Sequence, residues 1–380
     1  MVPNLRPLSA SEELLALSNR AFAEDFSATL RDVSVNQFYS PLSVQLALSM
    51  VMNAAGDELR EDFLRVLRYD ALAVDAANEA AETLVSFLRK LDSRVTFSTA
   101  NGIWYREGGT LYTPFQEAMK RHFQARLEAA DFGNPAVVRE INGWVKAETN
   151  GLIPELLEAI DPATIMMLVN AVYFKADWKA RFDAALTKPA PFRGIQGVRQ
   201  VQMMELAEAA DFPFSATEEY TYVALPYSSG QFQMEVLMVN DPSRAEELLH
   251  LETLQAAAER ANPQGFRLLF PKFEMRYREE DLVKYMAKMG LEAAFSSHPG
   301  NFSRMFEGPT GPTAISDIIH EAFIQVDEKG TEAAAATAVG VVMTSLPAAP
   351  PELRIDNPFL FVISEAHSGA ILFVGHLVNP

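Results

Sequence analysis

Hydrophobic positions recur at helical spacing through the first half of the chain and mostly at strand spacing after it. Leu14, Leu15, Leu17 and Ala21 follow Ser9-Ala-Ser-Glu-Glu, an N-capping sequence, and predict a helix from there. Pro41, one residue after Ser40, sets the first turn of a second helix through Leu46, Met50 and Val51. Further helices are expected at 57–67, 76–91, 113–121, 136–148 and 153–158, with a strand from Val95 to Trp104 among them.

After about residue 165 the pattern changes. Met166 to Phe174 is a near-continuous apolar run, the mark of a strand buried on both faces. Tyr220–Leu225 and Gln231–Val239 alternate as half-buried strands do, with Ser228-Ser-Gly230 turning between them. Phe266–Met275 reads as one strand, followed by a helix from Glu280 to Met289 that Gly290 ends. Ala322–Val326 is strand-like, and two strands, 359–364 and 370–378, close the chain around a turn at 365–369. Helices first and non-local strands later predict an α+β fold with large mixed or antiparallel sheets. No repeat of 20–50 residues and no polar linker interrupts residues 1–380, so one domain is expected.

Composition narrows the chemistry. The formal charge of -18 argues against nucleic-acid and membrane partners, whose phosphates such a surface repels. The chain has no cysteine, which removes disulfides, thiolate nucleophiles and thiolate metal sites. The start, Met1-Val-Pro-Asn-Leu-Arg-Pro, lacks the apolar run of a secretory leader, and no stretch reaches the length of a membrane span. Neither a Gly-x-Ser-x-Gly elbow, a His-Glu-x-x-His pair, a P-loop nor a Gly-x-Gly-x-x-Gly turn occurs, so an enzyme is not expected, and neither a metal nor a cofactor is indicated.

One segment stands apart. Between Val326 and the C-terminal strands lies a loop of over twenty residues, about 328–351, nearly without charge after Glu332. Read with period two, Thr331, Ala333, Ala335, Thr337, Val339 and Val341 share a face, all of them small or β-branched. Such a stretch can leave water and enter a sheet without burying a charge. An alanine run is also ordinary helix or linker material. The surrounding motifs decide between these readings.

Glu328-Lys-Gly-Thr-Glu-Ala-Ala-Ala-Ala336 resembles the hinge motif of the serpins. Asn36–Val44, Asn170–Trp178 with Phe182 beyond, Leu268–Phe273, Asn357–Phe361 and Leu372–Pro380 are similar to further serpin motifs, in the family's order. The resemblance implies a serpin-like α+β fold with an exposed reactive loop, and a monomer. It also implies a suicide-substrate inhibitor of serine proteases, whose cleaved loop enters the main sheet as a strand; loop insertion and strain release in serpins are known examples of strand addition. Glu328, Gly330, Thr331, Ala333 and Ala335 would form the hinge, and Ser40, Ser43, Asn170, Trp178 and His320 the sheet-opening cluster. Singly, each of these has an ordinary structural role as a cap, strand or core residue.

In the family's register the cleaved bond falls at Thr344-Ser345, with Met343 and Leu346 as alternatives because the stretch from Thr344 to Pro351 runs a few residues long. Thr344 suits elastase-like or subtilisin-like proteases and Leu346 chymotrypsin-like ones; no Arg or Lys invites a trypsin-like enzyme. The competing expectation is a non-inhibitory carrier or chaperone on the same scaffold, which a bulky or charged residue at Thr331, Ala333 or Ala335 would signal. The family resemblance leans towards an extracellular setting.

Overall fold

A computed structural model describes residues 3–279, 282–308, 311–331 and 350–380. The positions expected to complete the inserted strand and carry the scissile bond (Ala333, Ala335, Thr337, Val339, Val341, Met343, Thr344, Ser345 and Leu346) lie outside the described residues.

Helix α1 (Ala10–Leu30) starts at a complete capping box: the Ser9 hydroxyl accepts from the Glu12 N–H, and the Glu12 carboxylate accepts from the Ser9 N–H. Helix α2 (Pro41–Met52) starts at Ser40, and all its residues are buried.

Among the described residues the smaller sheet has six strands: β1 (Val95–Arg106), β2 (Arg126–Ala130), β3 (Met166–Asp177), β4 (Phe273–Glu279), β5 (Asp317–Val326) and the two-residue β6 (Gly330–Thr331). Their order is β4-β5-β6-β3-β1-β2, with β3 also pairing β5 directly. Among the described residues the larger sheet has ten strands, and Phe232–Val239, Phe359–Glu365 and Ile371–Leu377 lie side by side in it. Helix α2 packs against both β3 and the Ile371–Leu377 strand, so the main core is shared by the two sheets. A smaller core lies on the other face of the six-stranded sheet, under the helix Ala136–Glu148.

Two sequence expectations need correction. Residues 153–158 are not helical. The Asn142 carboxamide oxygen instead accepts from the N–H groups of Leu156 and Leu157, at 2.9 and 2.8 Å, and its amide donates to the Leu157 carbonyl at 2.7 Å. This holds Ile153, Leu156 and Leu157 in the smaller core without a helix. Phe266–Met275 is two strands, Asn262–Pro271 in the large sheet and β4 in the small one, because the chain changes sheets at Pro271-Lys272. Gly290, with φ 117°, breaks the helix where expected, and a separate short helix, Glu292–Phe295, follows with Leu291 and Ala294 buried.

Candidate functional site: a forked strand pair and its hinge

β3 and β5 run parallel and pair from Met167–Val172 to Asp317–Ala322. Beyond Val172 and Ala322 they diverge, and β6 occupies the fork. Thr331 pairs antiparallel with Val326 on one side and with Ala176 on the other. The first residues of the long loop therefore already stand where a middle strand would begin.

The turn from β5 into β6 is built by Asp327. Its carboxylate accepts from the N–H groups of Lys329 and Gly330, at 2.9 and 3.2 Å, and its own N–H donates to the Gly330 carbonyl at 2.9 Å. Gly330 is required by contact: a Cβ there would lie 2.0 Å from the Ala176 carbonyl oxygen. Thr331 is 1% exposed, and its hydroxyl bonds the Tyr227 phenol at 2.8 Å. Burial pushes the Tyr227 phenol up, so it stays neutral and can share that bond.

Trp178, at the end of β3, ties the hinge down. Its indole N–H donates to the Asp327 carbonyl at 2.9 Å, its backbone N–H donates to the Lys329 carbonyl at 2.6 Å, and its ring stacks on Tyr227 at 4.4 Å. Glu328 accepts from the Lys272 ammonium at 2.9 Å and the Thr187 hydroxyl at 2.8 Å. Burial acts to raise the Glu328 carboxyl, but these partners outweigh it and hold the group below its usual range.

A second group lies lower on the seam. His320 and Asn170 are register partners across the parallel pair. The Ser40 N–H donates to His320 Nε2 at 3.1 Å, so the ring proton is on Nδ1, which donates to Asn170 Oδ1 at 2.8 Å. Asn170 in turn donates to Asn101 Oδ1 on β1 at 2.7 Å. The Ser40 hydroxyl accepts from the Ser43 N–H at 3.2 Å, as an N-cap, and donates to the Leu372 carbonyl at 2.6 Å. Ser43 has a buried hydroxyl with no partner among the described residues. Burial pushes the His320 imidazole down to about 4, so the ring is neutral at pH 7.

Ser40, Ser43, Asn170 and His320 thus form one group, and Trp178 belongs with Glu328, Gly330 and Thr331 at the fork. Sequence reading missed Asn101, Tyr227, Lys272 and Thr187. Lys272 had a signal, a lone cation beside Pro271 between two apolar strands; the others are joined to the site only by contacts distant in sequence.

Helices on two sheets, with a loop whose first residues are wedged into a parallel seam, define the serpin fold. A family model described as "Serpin (serine protease inhibitor)" matches residues 17–380, and the chain belongs to the serpin family. Serpin-Z2A of Triticum aestivum is 33% identical over 380 residues, covering 94% of this chain and 93% of that protein. The leukocyte elastase inhibitor of Xenopus tropicalis is 31% identical over 358 residues, covering 91% of this chain and 93% of that protein. The native thermophilic serpin tengpin matches with a TM-score of 0.86 at 24% identity, over 100% of this chain and 98% of that one. Human thyroxine-binding globulin, solved in complex with its hormone, matches with a TM-score of 0.85 at 24% identity, over 98% of this chain and 100% of that one. At that identity the two structures speak for the fold alone. Serpins are in general protease inhibitors and not enzymes, but the fold also serves non-inhibitory members.

Proposed function

We propose that this protein inhibits serine-type endopeptidases as a suicide substrate. Cleavage near Thr344-Ser345 frees the loop, residues from Thr331 onward enter between β3 and β5, and the acyl-enzyme is carried away with them before it hydrolyses.

The observation that carries this reading is the register of the fork. Each residue of β3 faces the residue 150 positions later on β5 all along their ladder, Met167 to Asp317 through Val172 to Ala322. Thr331 faces Ala176 and Val326, which differ by the same 150. A strand continuing from Thr331 therefore fits both neighbours once they move apart sideways, with no sliding along the strand axis. On insertion in this register residues 331–340 would pair on both sides, ending opposite Met167 and Asp317. Thr337 falls opposite both Asn170 and His320, where its hydroxyl can take over the bond these two now share.

One parallel ladder is exchanged for two antiparallel ones, the more stable type per residue. At ~1 kcal/mol net per hydrogen bond, ten residues paired on both sides gain on the order of 10 kcal/mol. An intact loop, tethered at both ends, collects this only by a slow rearrangement. The native state is held by a barrier that cleavage removes.

On this reading the inhibitor is a monomer whose partners are elastase-like, subtilisin-like or chymotrypsin-like proteases. Incubation with an elastase is expected to give a covalent complex that survives boiling in denaturant, visible as a band near the summed mass. Cleaved inhibitor beside fully active protease, with all three protease types, would favour the carrier or chaperone reading. The small, uncharged hinge residues Thr331, Ala333 and Ala335 oppose that second reading.

A further inference from the structure

The seam that insertion must open is crossed on its outer face by a contact that the hinge and the His320 group do not include. The helix Ala136–Glu148 and the segment after it lie over the sheet. Their small core takes Trp104 and Ala100 from β1, and Met167, Val169 and Ala171 from β3. From β5 it takes only Ile319. Trp144 on the helix packs edge-on against Trp104 at 5.1 Å, so the helix rides with β1 and β3.

Arg276 reaches over from the other side. It lies on β4, which is bound to β5 through seven antiparallel residue pairs. Its guanidinium sits over the Phe323 ring at 5.8 Å and lies 3.6 Å from the Glu321 carboxylate. It donates to the Leu152 carbonyl, in the segment following the helix, at 2.5 Å. Glu321 is 3% exposed and faces Ala171 across the ladder, next to the last paired residues before the fork. The buried carboxylate thus holds the guanidinium on the β5 side, and the guanidinium holds a carbonyl that belongs to the β3 side.

We propose that Arg276, kept in place by Glu321, staples the segment after the helix across the β3–β5 seam and sets how fast the loop inserts. Moving β5 and β4 away by one strand spacing, about 4.8 Å, pulls the guanidinium off the Leu152 carbonyl. The bond exists in the intact form and is broken in the inserted one. Arg276 is a positioning residue, because it touches neither loop nor protease. The inference rests on the insertion reading above.

Arg276→Met keeps an apolar stem over Phe323 and removes the donor. The double variant Arg276→Met/Glu321→Gln also removes the carboxylate that would be left without this partner. The readout is the rate at which intact protein, warmed below its melting point, converts to a heat-resistant form. Both variants are expected to convert about three- to tenfold faster than the parent, the scale of one lost hydrogen bond from a half-exposed donor. Their melting temperatures after loop cleavage are expected to match the cleaved parent's, since the staple is already broken there. Unchanged conversion rates in both variants would overturn the inference, as would equal destabilisation of the intact and cleaved forms, which marks an ordinary surface contact. If the parent itself gains no heat resistance on cleavage, the insertion reading falls and takes the staple with it.

Discussion

Thr331→Arg is expected to turn the inhibitor into a substrate. Thr331 is 1% exposed, flanked by Val326 and Ala176, and bonded through its hydroxyl to Tyr227 at 2.8 Å. An arginine there would bury a charge with no carboxylate facing it on either flanking pair, at a cost of about 3–5 kcal/mol. The strand would start from an expelled hinge, and hydrolysis of the acyl-enzyme would outrun insertion. Titrating protease against inhibitor should show the number of inhibitor molecules consumed per enzyme rising by about tenfold or more, the scale of a barrier raised by more than ~1.4 kcal/mol. Thr331→Ser, which keeps the hydroxyl, should stay near the parent value. An arginine variant with parent stoichiometry would show that the hinge does not enter the sheet during inhibition.

The second large effect concerns acid. Burial holds the His320 imidazole at about 4, below the 6.5 of a free histidine. The unfolded chain therefore binds a proton more readily than the native one between these values. The stability that the neutral ring contributes is fully present above pH 6.5 and is lost as pH falls towards 4, by up to about 3 kcal/mol. Its place gives the loss a consequence. A proton on Nε2 would face the Ser40 N–H, donor against donor, and unseat the ring bonded to Asn170 across the seam. His376, also buried and pushed down to about 4 by burial, acts in the same direction elsewhere in the core.

His320→Gln isolates the term at the seam, since a carboxamide can accept from Ser40 and donate to Asn170 without titrating. The variant is expected to lose less of its denaturant midpoint between pH 6.5 and 4.5 than the parent. Parallel pH profiles would assign the acid sensitivity to other groups.

Much of this was legible in the amino-acid sequence because it is local. The capping box at Ser9 and Glu12, the Ser40-Pro41 helix start and the apolar run of β3 each carry their signal within a few residues. The strands Lys188–Gly194, Gly197–Glu205 and Ala210–Ala216 escaped, because many of their residues are exposed and their alternation is weak. Lys272 was passed over because the apolar stretches on its two sides read as one strand, although the chain changes sheets between them. At the site, the hinge motif marked Gly330, but the reason for it, the Ala176 carbonyl 2.0 Å from where a Cβ would be, belongs to a strand more than a hundred residues earlier. Tyr227, Asn101 and Arg276 are ordinary strand or turn residues in sequence; their partners Thr331, Asn170 and Leu152 make them matter.

The most direct test is the melting temperature before and after a single cut in the loop by a metalloprotease, which forms no acyl-enzyme and so cannot be trapped. If the seam takes up the severed strand, the cut protein should melt about 10 °C or more above the intact one, the shift that on the order of 10 kcal/mol implies for a chain of this size. A cut protein that melts where the intact one does, with residues beyond Thr331 still open to further proteolysis, would contradict the account.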